Sequence, residues 1–196
     1  LALSTLNTNL DLDITEFVTV NFEAVKEIVN DLGGVTITVT DAEATQISGI
    51  NEAGTYMLNG DQALAYSRIR KIDTDYKRTE RMRTVVEAML SKAKTLNVGQ
   101  LNSFADTILP KIRTNISSSE IWGLIPKLAS FKVTESIGWP YDTKGITLDR
   151  WYGVPVTLQS NVERLHKEAF EQEDYEASDT VKEMSAAIVK KTGYSK

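Results

Sequence analysis

Cysteine is absent from this chain of 196 residues, which excludes disulfides, thiolate metal sites and a cysteine nucleophile. Histidine occurs once, as His166; it follows Leu165 in a helical stretch with no serine–carboxylate partners in view, so a structural role is expected. No apolar run approaches the roughly 20 residues that cross a bilayer, and no basic-then-apolar segment opens the chain. The first residue is Leu1, not Met, so the sequence reads as an excised piece. Metal-ligand spacing is missing around Asp142, Asp149 and Asp174. Positive charge is in deficit, with 22 basic against 27 acidic side chains and a net charge of −5. That balance suits a general nucleic-acid binder poorly, because phosphate neutralisation supplies most non-specific affinity.

What is present is an ordinary globular composition, 41% hydrophobic and 25% charged, long enough for a real core. The charge is unevenly spread. Tyr66 to Arg83 holds seven basic residues (Arg68, Arg70, Lys71, Lys77, Arg78, Arg81, Arg83) and three acidic ones (Asp73, Asp75, Glu80), a surplus of +4 on a chain that is −9 elsewhere. A positive island on an acidic body points to a small anionic ligand and not to a long polyanion.

Periodicity predicts a strand over Ile14–Val20, then a helix capped by Asn21 with Phe22, Val25, Ile28 and Val29 on its apolar stripe. Gly33 stops that helix, and Val35 to Val39 is a second strand. Strand–helix–strand is the mark of an α/β layer, in which the strands near 14–20 and 35–39 are expected to be neighbours. Ala42 to Asn59 reads as a polar connection with a short hairpin at Gly54, Asp61 to Tyr66 as a short helix, and Ser67 to Arg70 as extended. Lys77 to Thr95 is the clearest helix, with Met82, Val85, Val86, Met89, Leu90 and Ala93 as its buried face. Helices follow over Val98–Ile112 and from Ser117, where Ser117 and Glu120 form a capping box, to near Ser130. Phe131 to Val156 has strand character. Helices over Thr157–Phe170 and Asp179–Lys191 close the chain. Trp122, Trp139 and Trp151 are expected in core and edge packing. The expected fold is α/β, a layered α-β-α domain with helices packed on a central mixed sheet.

Arg68 and Arg70 are two apart, so an extended segment would send both side chains from one face. Arg78 and Arg81 are three apart at a helix start and neighbour each other on its surface. Arg78 also precedes Met82, Val85 and Met89 on the apolar stripe, which turns its guanidinium inward. A helix N-terminus adds free N–H groups and a positive dipole end. Guanidinium forks take phosphate bidentately and stay charged when partly desolvated. These arguments support an anion site without naming the anion; the alternative is local pairing with Asp73, Asp75 and Glu80.

Four segments then occur in a familiar order and spacing: Phe17-Val18-Thr19-Val20-Asn21-Phe22; Asp31-Leu32-Gly33-Gly34-Val35; Leu58-Asn59-Gly60-Asp61-Gln62-Ala63-Leu64-Ala65-Tyr66-Ser67-Arg68-Ile69-Arg70; and Asp75-Tyr76-Lys77-Arg78-Thr79-Glu80-Arg81. Together they resemble the LytR–CpsA–Psr family, over roughly residues 5 to 95. Asn161 to His166 and the capped last helix resemble the C-terminal extension of some members. The resemblance implies one domain, residues 1–135 being catalytic and 136–196 an extension packed on it. It implies a membrane-anchored cell-wall glycopolymer phosphotransferase on the outer face of the cytoplasmic membrane of a Gram-positive bacterium. Such enzymes move teichoic acid or capsular polysaccharide from a polyprenyl-pyrophosphate carrier to peptidoglycan. By motif, the catalytic and pyrophosphate-binding arginines fall on Arg68, Arg70 and Arg78, with Arg81 close by as a further pyrophosphate contact and Asp75 as an orienting acid. Met82 stands where the family often has Gln. The family's two magnesium-binding aspartates and its membrane anchor belong to an upstream segment, so no metal ligand is expected in this chain and the isolated chain is expected to be inactive. A regulatory or nucleic-acid-binding protein, a cell-envelope transcriptional attenuator, is the alternative; it would need an exposed basic recognition helix.

Overall fold

The computed structural model describes residues 1–131 and 138–195. The boundary expected between residues 135 and 136, and the early part of the 131–156 stretch, lie outside the described residues. Along the chain come α1 (Ala2–Leu10), β1 (Val18–Thr19), α2 (Phe22–Asp31), β2 (Val35–Val39), α3 (Asp41–Ala44), β3 (Gly54–Leu58), α4 (Gly60–Ser67), α5 (Asp75–Ala93), α6 (Val98–Ile108), β4 (Arg113–Thr114), α7 (Ser118–Leu124), β5 (Thr143–Thr147), β6 (Trp151–Pro155), α8 (Leu158–Phe170) and α9 (Asp179–Thr192). The chain is therefore of the mixed α/β class, as expected, rich in helix with short strands. Side-chain caps set many helix starts: Asn21, Thr74, Thr157 and Ser178 each accept an N–H from the first turn, and Ser117 forms the capping box with Glu120. Gly33 takes a left-handed φ of 75° where α2 stops, a conformation that costs glycine little.

Strand pairing departs from expectation. Among the described residues the ladders are antiparallel pairs, β1 with β4, β2 with β3 and β5 with β6. Residues 14–20 and 35–39 are therefore not paired, and β3 lies in the stretch read as a polar connection. Thr55 and Met57 face solvent in β3 and Gly54 opens it, so its apolar signal is weak; it forms because β2 offers it a ladder.

The chain divides into two compact units. One is Glu16–Ser136, called here the arginine unit; the other joins Leu1–Thr15 to Ile137–Lys196, the terminal unit. In the arginine unit, β2 alternates as a half-buried strand should, with Val35, Ile37 and Val39 buried and Thr36 and Thr38 outward. Helix α5 packs on β2, and α4 packs on α2 and α5. The buried stripe of α5 begins at Arg81 and continues through Val85 and Ala93, with Ala88 and Met89 half-buried beside it. Val85 is 2% exposed, but Val86 is 58% exposed and Met82 also faces out, which corrects the expected face. The stripe is rotated by one residue because Arg81, and not Met82, goes inside. Apolarity alone ranks those two the wrong way round.

The terminal unit has its own core of Leu10, Leu158, Val162, Leu165, Ala177 and Val181, with α9 packed on α8 and α1. Helix α1 was not anticipated from the sequence. His166 is buried there as expected: its Nε2 donates to the Leu10 carbonyl at 2.8 Å and its ring stacks on Tyr175 at 3.7 Å. Trp139 packs on this core and Trp122 on that of the arginine unit. Trp151 is 62% exposed on β6, where its ring lies across Gly145 of β5.

Candidate functional site

The site is built on the end of α4. Asn59 caps this helix in a reciprocal pair with Gln62, and the Asn30 side chain accepts the Gly60 N–H at 2.8 Å. A β-carbon on Gly60 would lie 2.2 Å from the Lys26 carbonyl oxygen, so only glycine lets α4 start this close to α2. Ala63, Tyr66, Ser67 and Ile69 are buried and hold the helix end in the core. Arg68 and Arg70 flank Ile69 and point out.

Arg68 is the C-cap of α4, with φ −103° and ψ 1°, so the expected extended segment does not form. The two arginines nevertheless meet. Both line one open cavity of about 540 Å³ with Lys71, Gln46, Leu64 and Ala65, and Asp61 is the only acid in its lining. The Arg68 guanidinium also lies over the Phe22 ring, 4.9 Å from its centroid, within cation–π range.

Arg78 is not among the residues lining that cavity. It sits one turn into α5, half-buried, and Nη2 donates to Asp75 Oδ2 at 2.9 Å; Asp75 does hold an arginine. The Arg78 Nε is buried and has no hydrogen-bond partner among the described residues. A buried donor without a partner is costly in a folded protein.

Arg81 is buried among carboxylates. It is 4% exposed. Its Nε donates to Glu43 Oε1 at 2.6 Å, and its Nη1 to the Ile69 carbonyl and Asp73 Oδ1, each at 3.2 Å. Its Nη2 donates to Asp73 Oδ2. Burial opposes ionisation of Glu43, but hydrogen bonds from Arg81 and from the Thr40 amide and hydroxyl outweigh it and hold the carboxyl below the usual range. Burial opposes the Arg81 charge in turn, and the bonds to Asp73 and Glu43 outweigh it.

Glu43 was missed in the sequence, although Thr40 and Glu43 stand at capping-box spacing and do form that box. Asp73 was read only as one of several nearby acids. The arginine unit also contains a cavity of about 300 Å³ lined only by apolar residues, among them Val18, Leu101, Phe104, Ile108, Ile121 and Leu128. Val18 is four residues from Phe22, which bounds their α-carbons to within about 15 Å. The inner arginine of α5, Arg81, is buried in ion pairs with Glu43 and Asp73 and does not face solvent. Among the described residues no three His, Asp or Glu side chains cluster as metal ligands, and no helix is long and apolar enough to cross a membrane.

A mixed α/β unit that ends a helix in exposed arginines on one cavity has a surface suited to an anion. The chain belongs to the LytR_cpsA_psr family, which it matches over residues 1–170. It is 34% identical over 157 residues to the polyisoprenyl-teichoic acid–peptidoglycan teichoic acid transferase TagT of Bacillus subtilis, covering 74% of this chain and 49% of that protein. It is 30% identical over 155 residues to biofilm regulatory protein A of Streptococcus mutans, covering 74% of this chain and 38% of that one. A solved structure of TagT bound to LIIa-WTA superposes with a TM-score of 0.69 at 30% identity, over 86% of this chain and 65% of that one. The chain thus spans about half or less of the length of these two curated relatives.

Proposed function

We propose that this chain is the arginine-bearing part of a phosphotransferase that moves a glycopolymer, wall teichoic acid or a capsular polysaccharide, from a polyprenyl-pyrophosphate carrier to peptidoglycan. Its place is the outer face of the cytoplasmic membrane of a Gram-positive bacterium. The observation that carries the reading is the shared cavity of Arg68, Arg70 and Lys71, with Asp61 as its one lining acid. Two guanidiniums and an ammonium there offset the charge of a pyrophosphate. Arg78, with its free Nε, is the third catalytic arginine, and Asp75 holds it until the anion arrives. In the reaction an acceptor hydroxyl attacks the phosphorus next to the sugar and polyprenyl phosphate leaves. Guanidiniums fixed in advance stabilise the charge that builds on the leaving oxygens. The wholly apolar cavity suits the polyprenyl chain, and Phe22 links the strand that lines it to Arg68.

The carboxylates near these arginines suit magnesium poorly, because Asp73 is taken by Arg81, Asp75 by Arg78 and Asp61 by Lys26; the family resemblance implies magnesium ligands in an upstream segment. Calorimetry with a short-chain polyprenyl pyrophosphate tests the binding role: the unaltered chain binds, and Arg68→Ala with Arg70→Ala lowers affinity by about a hundredfold. Equal affinity in the double variant sinks the site. A transfer assay with magnesium, comparing this chain with one extended at its N-terminus, tests the metal assignment; equal turnover would overturn it.

A further inference from the structure

We infer that Arg81 is a positioning residue and not a ligand for the anion: with Glu43 and Asp73 it clamps the backbone that presents Arg70 and Lys71 to the cavity. The inference rests on the reading above that Arg68 and Arg70 receive a pyrophosphate.

The geometry supports it in three ways. First, Arg81 has little left to offer a phosphate. Of the five N–H donors a guanidinium carries, four are used, that on Nε by Glu43, the two on Nη1 by Ile69 and Asp73, and one on Nη2 by Asp73, and the residue is 4% exposed. Two carboxylates already outweigh its one charge. Second, the bonded groups bracket the functional segment. The Ile69 carbonyl and the Asp73 carboxylate lie on either side of Arg70 and Lys71, and Ile69 also buries its side chain. The strap is therefore pinned at both ends while its two cavity-lining side chains stay outside. Third, the clamp joins separate elements. Glu43 comes from α3, where it is also tied to the Thr40 amide and hydroxyl at 2.9 and 3.0 Å. Arg81 comes from α5, three residues after Arg78. One side chain thus sets the strap against both α3 and the helix that carries the third catalytic arginine. Lysine cannot replace it, since a point charge cannot reach a carbonyl and two carboxylates in a planar fork.

The test uses inorganic pyrophosphate as the probe. In the unaltered chain, nuclear magnetic resonance follows the arginine Nε–H signals during titration. Those of Arg68 and Arg70 are expected to shift to saturation, and that of Arg81, held by Glu43, to stay in place. A shift of the Arg81 signal as large as theirs would make it a ligand and overturn the inference. Arg81→Lys is expected to weaken pyrophosphate binding by about tenfold and to raise amide exchange over residues 69–73, while the β2–β3 ladder keeps its protection. Should Arg81→Lys unfold, Asp73→Asn keeps the Glu43 pair and reads the same two quantities, with a weaker effect of about threefold on affinity. Unchanged exchange over 69–73 in Asp73→Asn sinks the clamp, whatever the chain binds. If the unaltered chain binds no pyrophosphate, the proposed function falls and the positioning role with it, even where the strap still loosens.

Discussion

Arg81 in the arginine unit and Asn161 in the terminal unit are both buried polar side chains that hold an irregular stretch of backbone. Asn161 is 1% exposed. Its Oδ1 accepts the amides of Tyr141 and Asp142 at 2.8 and 3.0 Å, and its Nδ2 donates to the carbonyls of Thr157 and Asp142 at 2.9 and 3.3 Å. That uses a neutral amide's whole capacity. Arg81 does comparable work with a cation and two carboxylates, each of which costs several kcal/mol to desolvate before pairing returns it. A neutral side chain suffices where only architecture is at stake. The charged clamp stands beside the basic cavity, and because Glu43 and Asp73 neutralise Arg81 it adds no repulsion to Arg68, Arg70 and Lys71.

If that contrast is right, the largest loss comes from breaking the charged network at its centre. Arg81→Met leaves Glu43 and Asp73 without their partner and is expected to destabilise the arginine unit by about 4 kcal/mol. Urea unfolding read by amide exchange in the β2–β3 ladder measures it. A loss no greater than that of an ordinary surface change would mean that the ion pairs contribute nothing. Asn161→Leu comes next, at about 3 kcal/mol, because two backbone amides lose their acceptor in a buried place. Exchange in α8 and α9 reads that loss. If Asn161→Leu costs more than Arg81→Met, the ranking of the two devices is reversed.

The same contrast explains what could be read from the sequence. Helices with apolar spacing were legible: α5 as Lys77–Thr95, α8 as Thr157–Phe170 and α9 as Asp179–Lys191, each within two residues of its observed ends. The family was legible as residue types in order, since Arg68, Arg70, Asp75 and Arg78 carry its motif. The geometry of the arginines was not. Arg68 and Arg70 share a cavity around a helix cap and not along a strand, a difference that spacing by two does not reveal. Strand β3 escaped because its pairing depends on β2 and not on its own alternation. The pairing of Arg81 with Glu43 was not legible because Glu43 lies 38 residues away, and no local pattern announces a pair that far apart.

Acid should weaken both units, by less than either substitution. Glu43 has its folded pKa lowered by Arg81 and Thr40 against the opposing effect of burial. Burial likewise opposes ionisation of Asp11, and hydrogen bonds from Ser178 and Tyr175 overcome it and lower its value. A carboxyl with a lowered folded value favours the fold fully above its unfolded value, near 4. That contribution fades as pH falls through the folded value. Unfolding midpoints measured from pH 6 downward should therefore drop below about pH 4 in each unit. Glu43→Gln should flatten the drop in the arginine unit alone, and Asp11→Asn in the terminal unit alone. An unchanged slope in Glu43→Gln would detach the acid response from the clamp.

The smallest effect expected is that of Arg83, and it decides whether the basic stretch is a site or a diffuse charge. Arg78 and Arg83 lie on the same helix and carry the same charge, but only Arg78 pairs with Asp75 and keeps a buried, unpartnered Nε among the described residues. Arg78→Lys preserves the charge and removes the planar fork. It should lower affinity for a short-chain polyprenyl pyrophosphate by about tenfold. Arg83→Gln removes a whole charge yet should cost no more than about threefold, the scale of a screened interaction at the surface. Calorimetry at two salt concentrations separates the cases, because a diffuse field fades with added salt and a fitted fork fades less. If losing the Arg83 charge weakens binding as much as losing the Arg78 fork, the arginines of α5 act only through bulk charge, and Arg68 and Arg70 stand alone as the anion's contacts.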